Sequence, residues 1–209
     1  MVVWTVANQK GGVGKTTTTI TLGGLLASMG YKVLLVDTDP HASLSYYFGI
    51  ESEDLDLSVY DLFVQDSTKE QILQSLCPTQ YSNIDILPAT MGLATLDRAL
   101  GAKGGMGLVL KKALAKISNE YDFVLMDCPP ILGVLMVNAL AASQRIIVPV
   151  QTEFLALKGL DRMMRTLEMM QTEKESSFTY TIVPTMFDKR TKASILSYKK
   201  LQETYPTSV

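Results

Sequence analysis

Two lysines, three glycines and two threonines fall within eight residues, Lys10-Gly11-Gly12-Val13-Gly14-Lys15-Thr16-Thr17, directly after the apolar run Val2–Ala7. Residues of these types at this spacing suit a polyphosphate. Glycines turn the backbone tightly and keep side chains away from phosphate oxygens. The backbone N–H groups of Gly11, Gly12, Val13 and Gly14, with a helix beginning at Lys15, aim positive partial charge at one point. Lys15 adds a full charge at the β- and γ-phosphates, the Thr16 hydroxyl is placed to ligate Mg²⁺, and Thr17 extends the helix's first turn. The ordinary nucleotide-loop pattern has glycine five positions before Gly14, where this chain has Gln9. A variant with an extra lysine, here Lys10, fits instead. One lysine suffices for the nucleotide's own phosphates, and a second on the outer limb of the loop reaches toward another subunit's nucleotide. The expected ligands are a nucleotide's phosphates and Mg²⁺.

Two further stretches end apolar runs in acid. Val33-Leu34-Leu35-Val36 leads into Asp37-Thr38-Asp39-Pro40, and Phe123-Val124-Leu125-Met126 leads into Asp127-Cys128-Pro129-Pro130. In open α/β sheets, ligands bind beyond the carboxyl ends of the strands. Acids there supply what Mg²⁺ and a water nucleophile require. Asp127 is expected to hold Mg²⁺ through its water shell, and Asp39 to orient the attacking water. Asp37 is expected to hold Mg²⁺ waters or Thr16. The bland reading of each aspartate is a turn or a helix cap.

Positioning these groups needs strands that end together, and the chain has the required alternation. Candidate strands are Val2–Ala7, Lys32–Asp37, Ile84–Pro88, Phe123–Asp127, Ile146–Val150 and Tyr180–Pro184. Candidate helices are Lys15–Met29, Val59–Phe63, Lys69–Leu76, Leu93–Leu100, Leu108–Asn119, Gly133–Ala142, Leu157–Thr172 and Ala193–Thr204. Such alternation predicts an α/β fold of three layers, a mostly parallel twisted sheet with helices on both faces, in one P-loop nucleotide-binding domain. Gly101–Gly107 reads as a flexible connection. Hydrophobic residues make up 47% and charged residues 19%, ordinary values for a soluble α/β chain. A formal charge of −2 excludes a globally cationic nucleic-acid binder but leaves room for a local basic patch. The two cysteines, Cys77 and Cys128, lack metal-ligand spacing and form no disulfide framework, which points to a reducing compartment. No apolar run approaches a membrane span and the N-terminus reads as a strand, so a cytoplasmic location is expected.

The chain resembles the ParA/MinD group of deviant Walker ATPases, and the ParA/Soj branch in particular. The match is carried by Asn8–Thr18, Val33–Pro40, Asp127–Gly133 and Gln151–Leu160. Pro184–Thr191 resembles the segment that packs on the adenine in this family, which implies base contacts from Met186 and Asp188. The resemblance implies an ATP-bridged homodimer in which Lys10 contacts the other subunit's nucleotide, Mg²⁺-dependent hydrolysis that loosens the interface, and slow turnover raised by a partner protein. It implies cargo of large size, such as plasmids, chromosome origins or protein arrays. Where many ParA proteins have Asp-Pro-Gln-Gly, this chain has Asp39-Pro40-His41-Ala42, and His41 is its only histidine. That loop is similar to the ParC-like proteins of chemotaxis clusters, so the implied stimulating partner is either ParB-like or a chemotaxis-cluster protein. ParA proteins typically continue beyond the point where this sequence stops, adding a strand and helices. Either this is a shortened form of such a domain, lacking the last strand and helices, or the fold ends with an exposed sheet edge.

Weaker signals keep two readings each. Lys189, Arg190, Lys192, Lys199 and Lys200 form either a solvated helix face or a nonspecific DNA contact. Met163, Met164, Met169 and Met170 suit core at helical spacing, or an adaptable partner surface. Glu153 is either a nucleotide-side contact or an interface salt bridge, and His41 either a tolerated loop residue or a functional contact. Against the ATP-driven switch stand a small-molecule synthetase of the same superfamily and a binding module with vestigial hydrolysis. Lys10 disfavours the first. Lys15, Asp39 and Asp127 together disfavour the second.

Overall fold

The computed structural model describes residues 1–52, 55–96, 99, 106–172 and 178–209. β-branched and aliphatic runs become β1 (Val2–Val6), β2 (Val33–Asp37), β4 (Ile84–Leu87), β5 (Phe123–Asp127), β6 (Arg145–Gln151) and β7 (Thr179–Thr185), joined by the two-residue β3 (Cys77–Pro78). These form one seven-stranded sheet in the order β3-β4-β2-β5-β1-β6-β7. Every pairing is parallel except β3 against β4. The helices are α1 (Lys15–Ser28), α2 (Ser43–Tyr47), α3 (Val59–Val64), α4 (Lys69–Gln74), α5 (Val109–Lys116), α6 (Val134–Ala142), α7 (Phe154–Thr172) and α8 (Lys192–Thr204).

The strands are covered on both faces, as parallel sheets require. All five residues of β2 are buried. Val33 and Leu35 join Leu125, Ile86 and Leu26 in a cluster beneath α1. Leu34 and Val36 join Val124, Met126 and the inward residues of α5, α6 and α7 in a larger one. Each buried aliphatic side chain contributes on the order of 1.5–3 kcal/mol, so strand alternation fixes the register strongly. Register then does the positioning: Asp37 pairs with Asp127 on the neighbouring strand, and Val6 also pairs with Asp127. The carboxyl ends of β1, β2 and β5 are thereby gathered into one place.

The expected strands match within about two residues, and the mostly parallel α/β architecture holds. Differences fall where local signal is weak. Strand β3 was not expected, and neither was α2, which follows Ala42 in the left-handed region at φ 52. Where a helix is expected over Leu93–Leu100, a 3₁₀ segment over Met91–Thr95 leads into α-helical Leu96 and Ala99, with residues 97, 98 and 100 outside the described residues. The expected flexible connection Gly101–Gly107 lies outside them through residue 105, and Met106–Leu108 is a 3₁₀ turn. Met163 and Met164 are buried on α7 as core, whereas Met169 is exposed. Strand β7 is a sheet edge, and its Ile182 N–H donates to the Ser208 carbonyl at 2.6 Å, so the terminal residues cover part of it.

Candidate functional site

The turn between β1 and α1 is built by local chemistry. Asn8 anchors its entry, donating from Nδ2 to the Pro149 carbonyl at 2.8 Å and accepting from the Lys10 N–H at 3.0 Å. Gly12 and Gly14 take φ of 73° and 91°, the left-handed region that β-carbons disfavour. A β-carbon built on Gly11 or Gly12 meets nothing within 4 Å, so protein atoms leave open space beside these two glycines. Helix α1 follows with no side-chain cap and no acidic residue in its first turn. Its leading N–H groups, at Lys15, Thr16 and Thr17, are therefore free of competing side-chain carboxylates and suit an anion. Gln9, standing where the ordinary pattern has glycine, donates from Nε2 to Thr166 Oγ1 at 2.8 Å and ties the loop to α7.

Lys15 is only 8% exposed, and its Nζ donates to the Lys10 carbonyl across the loop at 3.1 Å. Burial lowers its pKa, opposed chiefly by the charge of Asp127. The Thr16 hydroxyl donates to Asp127 Oδ2 at 2.5 Å. The other oxygen, Asp127 Oδ1, is the one buried side-chain polar atom without a hydrogen-bond partner among the described residues. Burial pushes the Asp127 carboxyl up to about 7, with the Thr16 hydrogen bond opposing and the charge of Asp37 adding to it. A buried acceptor left open beside a hydroxyl and a phosphate-sized cradle fits a hard divalent cation. No group of three or more His, Cys, Asp or Glu side chains is arranged to hold a metal ion among the described residues. Mg²⁺ in nucleotide sites needs none, since it takes most of its ligands from water and phosphate.

Asp37 is tied into its own loop on both carboxylate oxygens. It is fully buried, and its Oδ2 accepts from both the N–H and the hydroxyl of Ser45, at 2.9 and 2.8 Å. Its Oδ1 accepts from the Asp39 N–H at 3.1 Å. Burial raises its pKa to about 6. Those bonds make Asp37 the anchor of the loop from Thr38 to Ala42, one layer beneath the cradle. Asp39 lies at the surface end of this loop, its side chain 16% exposed, with Oδ1 accepting from the backbone N–H of His41 and paired with its Nδ1, at 3.0 and 2.9 Å.

Lys10 is held in its own chain. Its Nζ pairs with Glu153, and its stem lies against Gly159 of α7. Glu153 is thus an intramolecular partner of Lys10 in the single, nucleotide-free chain. Both side chains are partly exposed, and ion pairs of that kind are worth about 0–1 kcal/mol, so Lys10 is readily released. The segment after β7 adjoins the loop through Thr185, whose hydroxyl donates to the Val13 carbonyl at 2.9 Å. Met186 is 58% exposed at φ 54, while the Asp188 carboxylate is forked by Arg190, at 2.9 and 2.8 Å. Asn8, Ser45 and Thr185 were not singled out from sequence. The Asn8 bond two residues on is an Asx turn and locally readable; the other two depend on distant segments.

Comparison with known proteins agrees with this geometry. The family model described as an AAA domain matches residues 1–180. The sporulation initiation inhibitor protein Soj of Bacillus subtilis is 38% identical over 205 residues, covering 98% of this chain and 80% of that protein. The chromosome-partitioning ATPase Soj of Treponema pallidum is 40% identical, covering 88% of this chain and 71% of that protein. A structure of cobyrinic acid a,c-diamide synthase from Mycobacterium smegmatis, with bound ATP analogue and magnesium, superposes with a TM-score of 0.91 at 36% identity, covering 98% of this chain and 83% of that one. With a family model spanning most of its length and a Soj protein matched across four-fifths of that relative, this chain belongs to the Soj/ParA family of P-loop ATPases within the AAA domain family.

Proposed function

We propose that this chain is an ATP-dependent dimerisation switch of the ParA type, which binds Mg-ATP, hydrolyses it slowly and uses the dimer's lifetime to position or segregate cargo. One observation carries the reading. The set needed for one nucleotide is complete in Gly11–Thr17, Lys15, Thr16 and Asp127, yet a further lysine, Lys10, stands at the rim on a weak ion pair. Its own nucleotide has no need of it.

In this mechanism the backbone from Gly11 to Thr17 wraps the phosphates, and Lys15 leaves the Lys10 carbonyl for the β- and γ-phosphates. Thr16 and Asp127 hold Mg²⁺, which neutralises charge on the phosphate oxygens when bound, and Asp37 keeps the adjoining loop in register. Asp39 orients the water that attacks the γ-phosphorus. Lys10 leaves Glu153 and crosses to the partner's nucleotide. Charge supplied in trans to phosphoryl transfer is worth on the order of 10³–10⁵ in rate where arginine does it. Met186, exposed beside the loop, faces the base; Asp188 would have to leave Arg190 to do so. Residues 1–209 act as a single ATPase domain.

A partner protein, ParB-like or from a chemotaxis cluster, would accelerate hydrolysis. The exposed Lys189, Lys192, Lys199 and Lys200 would add nonspecific DNA contact. Among the described residues no helix is long and apolar enough to cross a membrane, and a cytoplasmic site of action is part of the proposal. The synthase name carried by the M. smegmatis structure supports a competing small-molecule synthetase. Nucleotide binding and dimerisation of Lys10→Ala separate the two. The switch predicts retained ATP binding with lost dimerisation and lost hydrolysis, whereas hydrolysis at the wild-type rate by a monomeric Lys10→Ala would favour the synthetase.

A further inference from the structure

We propose that His41 is a positioning residue for the hydrolytic step, fixing the Asp39 carboxylate so that one oxygen is presented to the attacking water. The inference rests on the ATPase reading above and goes beyond it by assigning a role to the chain's only histidine. The geometry is asymmetric. Asp39 Oδ1 is engaged twice, by the His41 backbone N–H at 3.0 Å and by the His41 ring at 2.9 Å. Asp39 Oδ2 takes part in no hydrogen bond among the described residues. A carboxylate only accepts, so the ring must donate, and the proton sits on Nδ1.

Two N–H groups on one oxygen stop rotation of the carboxylate about its terminal torsion, which is otherwise broad. The backbone beneath is equally constrained. The Asp39 N–H is tied to Asp37 Oδ1 at 3.1 Å, and the Ala42 N–H donates to the Asp39 carbonyl at 2.8 Å. The two side-chain torsions of Asp39 are left for His41 to fix. The His41 side chain itself is 78% exposed and contributes nothing to the core, so its removal should not unfold the loop. A Gln side chain can donate an amide N–H to the same oxygen, whereas Ala cannot.

Two measurements test this. Because there is one histidine, the ¹⁵N spectrum of the labelled full chain at alkaline pH reports a single imidazole. The proposal predicts the Nδ1–H tautomer in the wild type and its loss in Asp39→Ala. An Nε2–H ring in the wild type overturns it. In steady-state hydrolysis, His41→Ala should lower kcat about tenfold with the Kd for ATP unchanged, since misorientation of a reacting group acts on the rate rather than on binding. His41→Gln should recover most of that loss. An unchanged kcat in His41→Ala, or a loss in ATP affinity that accounts for the whole effect, overturns the proposal. A wild type that binds ATP without hydrolysing it would instead sink the ATPase reading, and the tautomer would then decide the His41–Asp39 bond by itself.

Discussion

Replacing Asp127 by Asn should stabilise the nucleotide-free protein while abolishing its response to Mg-ATP. The carboxyl is 1% exposed and its pKa stands at about 7 against an ordinary 3.8. A raised acid pKa means that the folded state binds the proton more tightly than the unfolded one. The stability linked to that proton is therefore fully present below pH ~4 and lost as pH rises through about 7. At about 1.4 kcal/mol per unit, the penalty grows from under about 1 kcal/mol at pH 4 to several kcal/mol at pH 8. Asn carries no charge to desolvate and still accepts from Thr16 through its carbonyl. The Asn variant should therefore gain roughly 2–4 kcal/mol over wild type at pH 8 in EDTA, with little difference near pH 4. Relief of Asp37, whose charge adds to the shift, pushes in the same direction. Urea unfolding at the two pH values measures this. With Mg-ATP the order should reverse, because only the wild type gains ligand stabilisation. A variant less stable than wild type at pH 8, or a difference that is flat with pH, would refute the view of Asp127 as a buried charge kept for a cation.

Other expectations follow from neighbouring observations. Lys15→Ala should abolish nucleotide binding in calorimetry, since the ammonium is buried within the loop. Lys10→Ala should leave Kd for ATP within a few-fold and stability within about 1 kcal/mol, because it removes a partly exposed ion pair. Two adjacent glycines of α1 should respond in opposite directions in thermal unfolding. A β-carbon on Gly23 would lie 2.8 Å from Leu35 Cδ2, so Gly23→Ala should destabilise by about 1–3 kcal/mol. One on Gly24 meets nothing within 4 Å, so Gly24→Ala should stabilise by about 0.5–1 kcal/mol.

What the sequence made legible has a physical pattern. Strands β1, β2, β4, β5, β6 and β7 are buried apolar runs, and such runs declare themselves locally. Strand β3 is two residues held against β4 in antiparallel pairing, too short for any period to register. Helix α2 is five residues and starts from Ala42 in a conformation that an L-residue rarely adopts, which no propensity anticipates. Helix α7 begins at Phe154, and its first turn was not legible because Phe154 and Leu155 are exposed apolar residues that break the amphipathic pattern. At the site, loop residues were readable because glycine, lysine and threonine act there through the backbone and immediate neighbours. The bond from Ser45 to Asp37 was not legible, because Ser45 lies beyond a turn that only the folded loop brings back. The Lys10–Glu153 pair joins residues 143 positions apart and belongs to tertiary structure alone.

The central claim is that ATP, and not ADP, joins two copies of this chain. The most direct measurement is the solution mass of the Asp39→Ala protein by light scattering, with Mg-ATP and with Mg-ADP, since this variant should bind ATP without consuming it. A dimer with ATP and a monomer with ADP is the predicted result. A monomer in both, with nucleotide binding confirmed by calorimetry, would contradict the account.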